Sequence, residues 1–233
     1  MLSGSAFLPP PVEAGYPAQG WMEKRYIADL HFFDEDVRLL MDKRPFGTAE
    51  EMNEYMIKQW NDTVQKGDEV IVLGDMFSRR DCSVQQMNRI LHKLKGKMCL
   101  IIGNHDTDWI KKPGIDIGRF SWITEQKTVR DKGREVLLNH YPILFFGKNH
   151  VRDEDGNLKA YMLHGHVHDS PEAKLLYRFE KEAAETSFMT AKGLVEPMVC
   201  NCINCFCMYS DYRPLTLNEW KEAAENKRVS STL

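Results

Sequence analysis

Leu163-His164-Gly165-His166-Val167-His168, with Asp169 behind it, puts three histidines in five residues. Imidazole is the commonest protein ligand for borderline metals, so this spacing points to metal before it points to a pH switch. If the segment stays extended, alternation turns all three rings to one side. Gly165 then removes a side chain where the backbone must turn or approach something closely. Four other segments carry ligand-type residues: Asp29 with His31, Asp75 after Gly74, Asn104 with His105, and His140 before Tyr141-Pro142. A set of oxygen and nitrogen donors without thiolate suits manganese, iron or zinc rather than calcium or magnesium. Seven or more candidates exceed what one tetrahedral ion needs. The natural reading is a pair of ions, with one carboxylate from a central strand bridging them.

These residues need elements to carry them to one place. Arg25 to His31 reads as a buried strand with a polar end, where Asp29 and His31, two apart, point the same way. Thr48-Ala-Glu-Glu51 is a capping box, and Met52, Tyr55, Met56, Gln59 and Trp60 follow at helical spacing up to Gly67. Their apolar stripe is read as core. Glu69 to Leu73 is an apolar strand running into Gly74-Asp75. Ser83 to Gln86 opens a second helix that Gly96 closes, and Lys97 to Ile102 is a third strand, ending in Gly103-Asn104-His105-Asp106. Two strand–helix–strand units in succession imply parallel pairing with right-handed crossovers, which gathers the strand ends along one edge of a sheet.

The second half has a different texture. Thr128–Arg130 and Glu135–Asn139 look like a hairpin turning at Asp131-Lys-Gly133. A long connection, 143–159, separates His140 from the histidine cluster, and connections of that length tend to be functional. Residues 171–193 have partly helical character, and Val195 to Met208 suggests one or two strands. Thr216 to Glu219 caps a last helix with Trp220 and Ala223 on its buried face.

Composition narrows the classes. The 233 residues suffice for one well-buried domain, and 42% hydrophobic with 28% charged residues describe an ordinary soluble globular protein. A net charge of -3, with basic runs no longer than Arg79-Arg80 and Lys111-Lys112, leaves no footprint for duplex nucleic acid. No apolar run approaches a membrane span. Residues 1–21 are rich in Pro, Gly, Ala and Ser and carry one charge, Glu13; they read as a flexible leader before a single domain over 22–233. Six cysteines without an export signal favour a reducing cytoplasm.

The series Asp-x-His, Gly-Asp, Gly-Asn-His-Asp, a lone His and Gly-His-x-His, running from Tyr26 to Asp169, resembles the calcineurin-like metallophosphoesterase family. The individual pieces are weak, but the five in this order are specific. The resemblance implies an α/β fold of two facing mixed β-sheets flanked by helices, in four α/β/β/α layers. It implies that Asp29, His31 and His168 hold one divalent ion, Asn104, His140 and His166 a second, and Asp75 both. Manganese is the expected metal, with iron or zinc as alternatives. His105 matches the general acid that protonates the leaving oxygen, and His164 lies outside the motif. The implied reaction is hydrolysis of a phosphomonoester or phosphodiester by a metal-bound hydroxide, with a small phosphorylated compound or nucleotide as substrate. A non-catalytic scaffold of the same fold and a single-strand nuclease are the competing readings. The scaffold is disfavoured because every ligand and His105 are present, the nuclease because no basic track or extra capping domain is.

One departure matters. Protein phosphatases of the family carry an acidic residue three places after the Gly-Asp aspartate, and here that place is Ser78. This favours a small bacterial or phage-type phosphoesterase. Arg79 is the candidate phosphate-binding arginine. His150 and Arg152, with Phe145 and Phe146 nearby, make the 143–159 connection the candidate for substrate choice. Cys200, Cys202, Cys205 and Cys207 are spaced more tightly than usual zinc knuckles. They are read as core residues, each pair turning the same way along a strand.

Overall fold

Strand ends dominate the architecture, because two four-stranded sheets deliver their ends to one side. The computed structural model describes residues 22–78, 80–190 and 193–230, without the side chains of the last three. In the first sheet β1 (Lys24–Ile27), β2 (Glu69–Val72), β3 (Lys97–Ile101) and β4 (Phe120–Thr124) lie in that order. Every pairing in it is parallel. Helices α1 (Ala49–Thr63) and α2 (Val84–Lys93) make the crossovers, and a short α3 (Asp106–Trp109) follows β3. The two crossover helices start as their sequences predict. Thr48 accepts the Glu51 N–H, and Ser83 forms a complete capping box with Gln86, each cap contributing about 0.5–2 kcal/mol.

The second sheet is mixed. Its order is β10-β7-β6-β5, from β5 (Gln126–Asp131), β6 (Arg134–Asn139), β7 (Ala160–His164) and β10 (Cys202–Asn204). The β5–β6 pair is antiparallel, and β7 joins β6 and β10 in parallel. Lys132 and Gly133 both have positive φ, the backbone that a two-residue hairpin turn needs. A two-stranded ribbon of β8 (Ser187–Met189) and β9 (Val195–Pro197) follows α4 (Pro171–Glu185).

Two cores hold these layers. Ile27, Val70, Val72, Met98 and Leu100 pack against Met52, Met56 and Trp60 of α1 and Met87, Ile90 and Leu91 of α2. The opposite face of the sheet, Tyr26, Ala28, Ile71, Leu73, Cys99 and Ile101, meets Val136, Leu138, Tyr161, Leu163 and Ile203 of the second sheet. Alternation along each strand thus divides the layers. Helix α5 (Leu217–Ser230) closes the edge beside β1 and β10; its buried Trp220 donates to the Tyr26 carbonyl at 2.8 Å. Cys202, in register with Met162, donates to the Ile143 carbonyl at 3.2 Å, which lays the start of the 143–159 connection over the outer face of the second sheet.

Three sequence expectations change. The first strand stops at Ile27, so Asp29 and His31 stand beyond it rather than alternating along it. The histidine segment is not extended either: β7 ends at His164, and a bend follows. The second cysteine pair, Cys205 and Cys207, does not turn together. Cys205 enters the core between the sheets and Cys207 the core under the helices, because the chain leaves the sheet after Asn204. All four thiols are buried.

Candidate metal centre

Five of the seven ligand candidates sit in left-handed backbone without being glycine: Asp29 (φ 56°), His31 (49°), Asp75 (55°), His166 (70°) and His168 (46°). Such conformations cost roughly 1–2 kcal/mol per residue and cluster at functional sites, held by their surroundings. Here backbone hydrogen bonds between segments hold them. The Asp29 and His31 N–H groups reach the Gly74 and Asp75 carbonyls at 3.1 and 3.0 Å. Gly165 N–H reaches the His140 carbonyl at 3.0 Å, and His166 N–H donates to Asp29 Oδ1 at 2.9 Å.

The donors gather in overlapping groups. Asp29, His31 and His168 bring ligand atoms within 4.8 Å of one another, as do Asp75, His140 and His166, and as do His31, Asp34 and His105. Asp75 joins the first two, its Oδ2 lying 3.7 Å from His31 Nε2 and 3.5 Å from His140 Nε2. Its Oδ1 accepts the His105 N–H at 2.8 Å. Asn104 Oδ1 lies 3.0 Å from both His140 Nε2 and His166 Nδ1, so the neutral amide oxygen belongs to the second group. His105 packs edge-on to His31, ring centroids 4.9 Å apart. His164 turns away: it is buried and its Nδ1 faces the Gly165 carbonyl at 2.9 Å.

The site behaves as a cation cradle. Asp29 Oδ2 and both ring nitrogens of His31 are buried without a hydrogen-bond partner among the described residues. Burying such atoms unpaired costs free energy that a bound cation would recover. Oxygen and imidazole donors without a cysteine in any of the three groups fit a borderline divalent ion. Burial opposes the charge on Asp75, yet its hydrogen bond with His140 and the nearby His140 and His31 hold its carboxyl well below the usual range. Burial would likewise lower His140, but Asp75, Asp29 and the Leu73 carbonyl raise it to about 9. Its Nδ1 faces that carbonyl at 2.8 Å, which leaves Nε2 as the ligand atom.

Sequence reading missed Asp34, whose carboxylate lies 3.4 Å from His31 Nδ1, and Asp42, 2.7 Å from His168 Nδ1. Asp34 stands three residues after His31 in what looked like a plain polar connection; nothing local distinguishes Asp42. Ser78 is buried and donates to Asp81 Oδ2 at 3.1 Å, so the carboxylate beside His105 is supplied by Asp34. Arg79 lies outside the described residues. His150 is exposed, beside Asn149 and Phe188, and Arg152 donates to the Gly156 carbonyl of its own loop at 2.8 Å. Neither enters the three ligand groups. Phe145 is half-exposed and meets Phe179 of α4.

A two-sheet α/β sandwich with histidine–carboxylate groups at its strand ends defines the class, and those groups could hold divalent ions. Residues 26–170 match the family described as calcineurin-like phosphoesterase, and the chain belongs to that family. An uncharacterized protein of Methanocaldococcus jannaschii is 29% identical over 148 residues, 63% of this chain and 70% of that protein. The crystal structure of a protein of unknown function from Aquifex aeolicus, AQ665, shares the fold with a TM-score of 0.57. The match has 22% identity and covers 86% of this chain and 98% of that one. The phosphoesterase Yfce of E. coli aligns at a TM-score of 0.35 and 14% identity over 63% of this chain and 70% of its own, too distant to add to the argument. Among the described residues, no helix is long and apolar enough to cross a membrane.

Proposed function

We propose that this chain hydrolyses a phosphomonoester or phosphodiester with two divalent cations, manganese first among them. Asp29, His31 and His168 would hold one, Asn104, His140 and His166 the other, and Asp75 both. The observation that carries the reading is the position of Asp75 Oδ2, within 4 Å of a histidine from each group. Such a pair would offset the charge on phosphate oxygens and lower the pKa of a bound water towards neutrality.

The chain's own residues do the rest. His105 is the proton donor to the leaving oxygen, its backbone tied to Asp75 so that acid and bridging carboxylate move as one. Asn104 adds a ligand without a further negative charge to repel the phosphate. His140 presents Nε2 because its Nδ1 faces the Leu73 carbonyl. On this reading the substrate is a small phosphorylated compound or a nucleotide in the cytoplasm, selected by the 143–159 connection with His150 and Arg152, and by Arg79.

The test is to strip the protein with chelator, reload it with Mn²⁺, and count the metal by elemental analysis. Phosphorylated metabolites, nucleotides, cyclic nucleotides and short single strands are then assayed. Two ions per chain with turnover of one substrate class supports the reading. At most one ion in fully loaded protein overturns it.

A further inference from the structure

We propose that Asp42 and Arg44 are positioning residues for the first cation: together they aim the His168 ring and hold the Asp29–Leu30 backbone that carries the other ligands. The inference rests on the cation reading above, and its test separates the two.

Arg44 has a fully buried side chain. Its Nη1 donates to the Leu30 carbonyl at 2.7 Å and its Nη2 to the Asp29 carbonyl at 2.9 Å. Nε and Nη2 both reach Asp42 Oδ2, at 2.9 and 2.8 Å. Asp42 turns its other oxygen to His168 Nδ1 at 2.7 Å. One buried carboxylate therefore connects a ligand ring to the guanidinium that clamps the ligand loop. Phe206 fills the space between them, stacked on the His168 ring at 4.7 Å and 5.9 Å from the Arg44 guanidinium carbon. Asn204 and Tyr209 fix the His168 carbonyl, at 2.9 and 3.2 Å.

A buried arginine–carboxylate pair is no efficient stabiliser, since its desolvation cost is often as large as its attraction. What this pair adds is orientation. A proton on Nδ1, given to Asp42, leaves the Nε2 lone pair facing Asp29 Oδ1, 3.8 Å away. The left-handed backbone at Asp29 and His31 flanks the two carbonyls that Arg44 grips. In the second group His140 leans on a main-chain carbonyl instead.

Removing a partner of this kind typically weakens metal binding 10–100-fold. Calorimetric titration of chelator-stripped protein with Mn²⁺ should therefore show one binding event weakened by about 10–100-fold in Asp42→Asn and the other within about threefold of wild type. Equal weakening of both events, or no change in either, overturns the proposal. A wild type that takes one Mn²⁺ defeats the two-cation reading alone, and Asp42→Asn is then judged on that ion. Should the variant fail to fold, the wild type decides. In Zn²⁺-loaded protein, long-range ¹H–¹⁵N spectra should show His168 as the Nδ1–H tautomer, and an Nε2–H tautomer overturns the proposal.

Discussion

Asp75 concentrates the demands of the site in one side chain. Buried and flanked by His31 and His140, it stays ionised because those rings and the His105 N–H outweigh the cost of burial. Asp75→Ala should remove both ions and the activity together, read by elemental analysis of reloaded protein. Retention of one ion at wild-type affinity would contradict a bridging role. His140 gives the pH dependence. With its pKa raised to about 9 in the metal-free fold, above the ordinary histidine value near 6.5, its contribution to stability is complete below about 6.5. That contribution is lost as pH rises through about 9. A cation at Nε2 competes with the same proton, so Mn²⁺ affinity at the second position should climb between pH 7 and 9, with about one proton released per ion at pH 7. Calorimetry in buffers of different ionisation enthalpy measures that release, and a flat profile would remove His140 from the ligand set.

Elements matter here mainly where they stop. Strands β1, β2 and β3 each end before their ligands, and the loops after β1 and β2 turn through left-handed residues at Asp29, His31 and Asp75. Asp106, fully buried at the start of α3, braces two such loops by accepting the N–H groups of Gly103, Asp75 and Met76 and the Trp109 indole. The loops approach so closely that Gly74, Gly103 and Gly165 have no room for a methyl. A Cβ on Gly74, itself at φ 96°, would stand 2.3 Å from His140 Nδ1. One on Gly165 would stand 2.6 Å from Ala28 Cβ and 2.7 Å from Asp29 Oδ2. Gly165→Ala should lose about 1–3 kcal/mol of stability, as overpacked sites do, and weaken Mn²⁺ binding as Asp29 is displaced. Denaturant melts without metal separate the first effect from the second. Unchanged melts would mean the loops have slack.

Across the whole molecule, the ligand candidates come from the ends of both sheets, so on the proposed reading bound cations would bridge parts of the chain far apart in sequence. Binding to the folded state alone stabilises it by about 2.7 kcal/mol for each site at a hundredfold excess over Kd. For a chain of this size that is a rise in Tm of about 5–10 °C for each site. Thermal melts with Mn²⁺ and with chelator check this; identical Tm values would mean that cations do not link the sheets.

The sequence by itself determined the family, the two parallel crossover units, the hairpin and the residue types of the ligand series. Each of these rests on local signals: caps at Thr48 and Ser83, periods of two or 3.6, and motifs whose order along the chain is their evidence. Tertiary structure alone decided how those residues meet. Asp29, His31 and His168 depart from strand alternation because contacts with other segments sustain backbone that no local preference would choose. Asp34 and Asp42 look like ordinary surface carboxylates until folding brings them against His31 and His168. Arg44 reads as one more basic residue, yet it is buried against carbonyls about fifteen positions earlier. A side chain's task of orienting a distant ring leaves no trace in its own neighbourhood, because hydrogen-bond geometry is a property of the assembled loops.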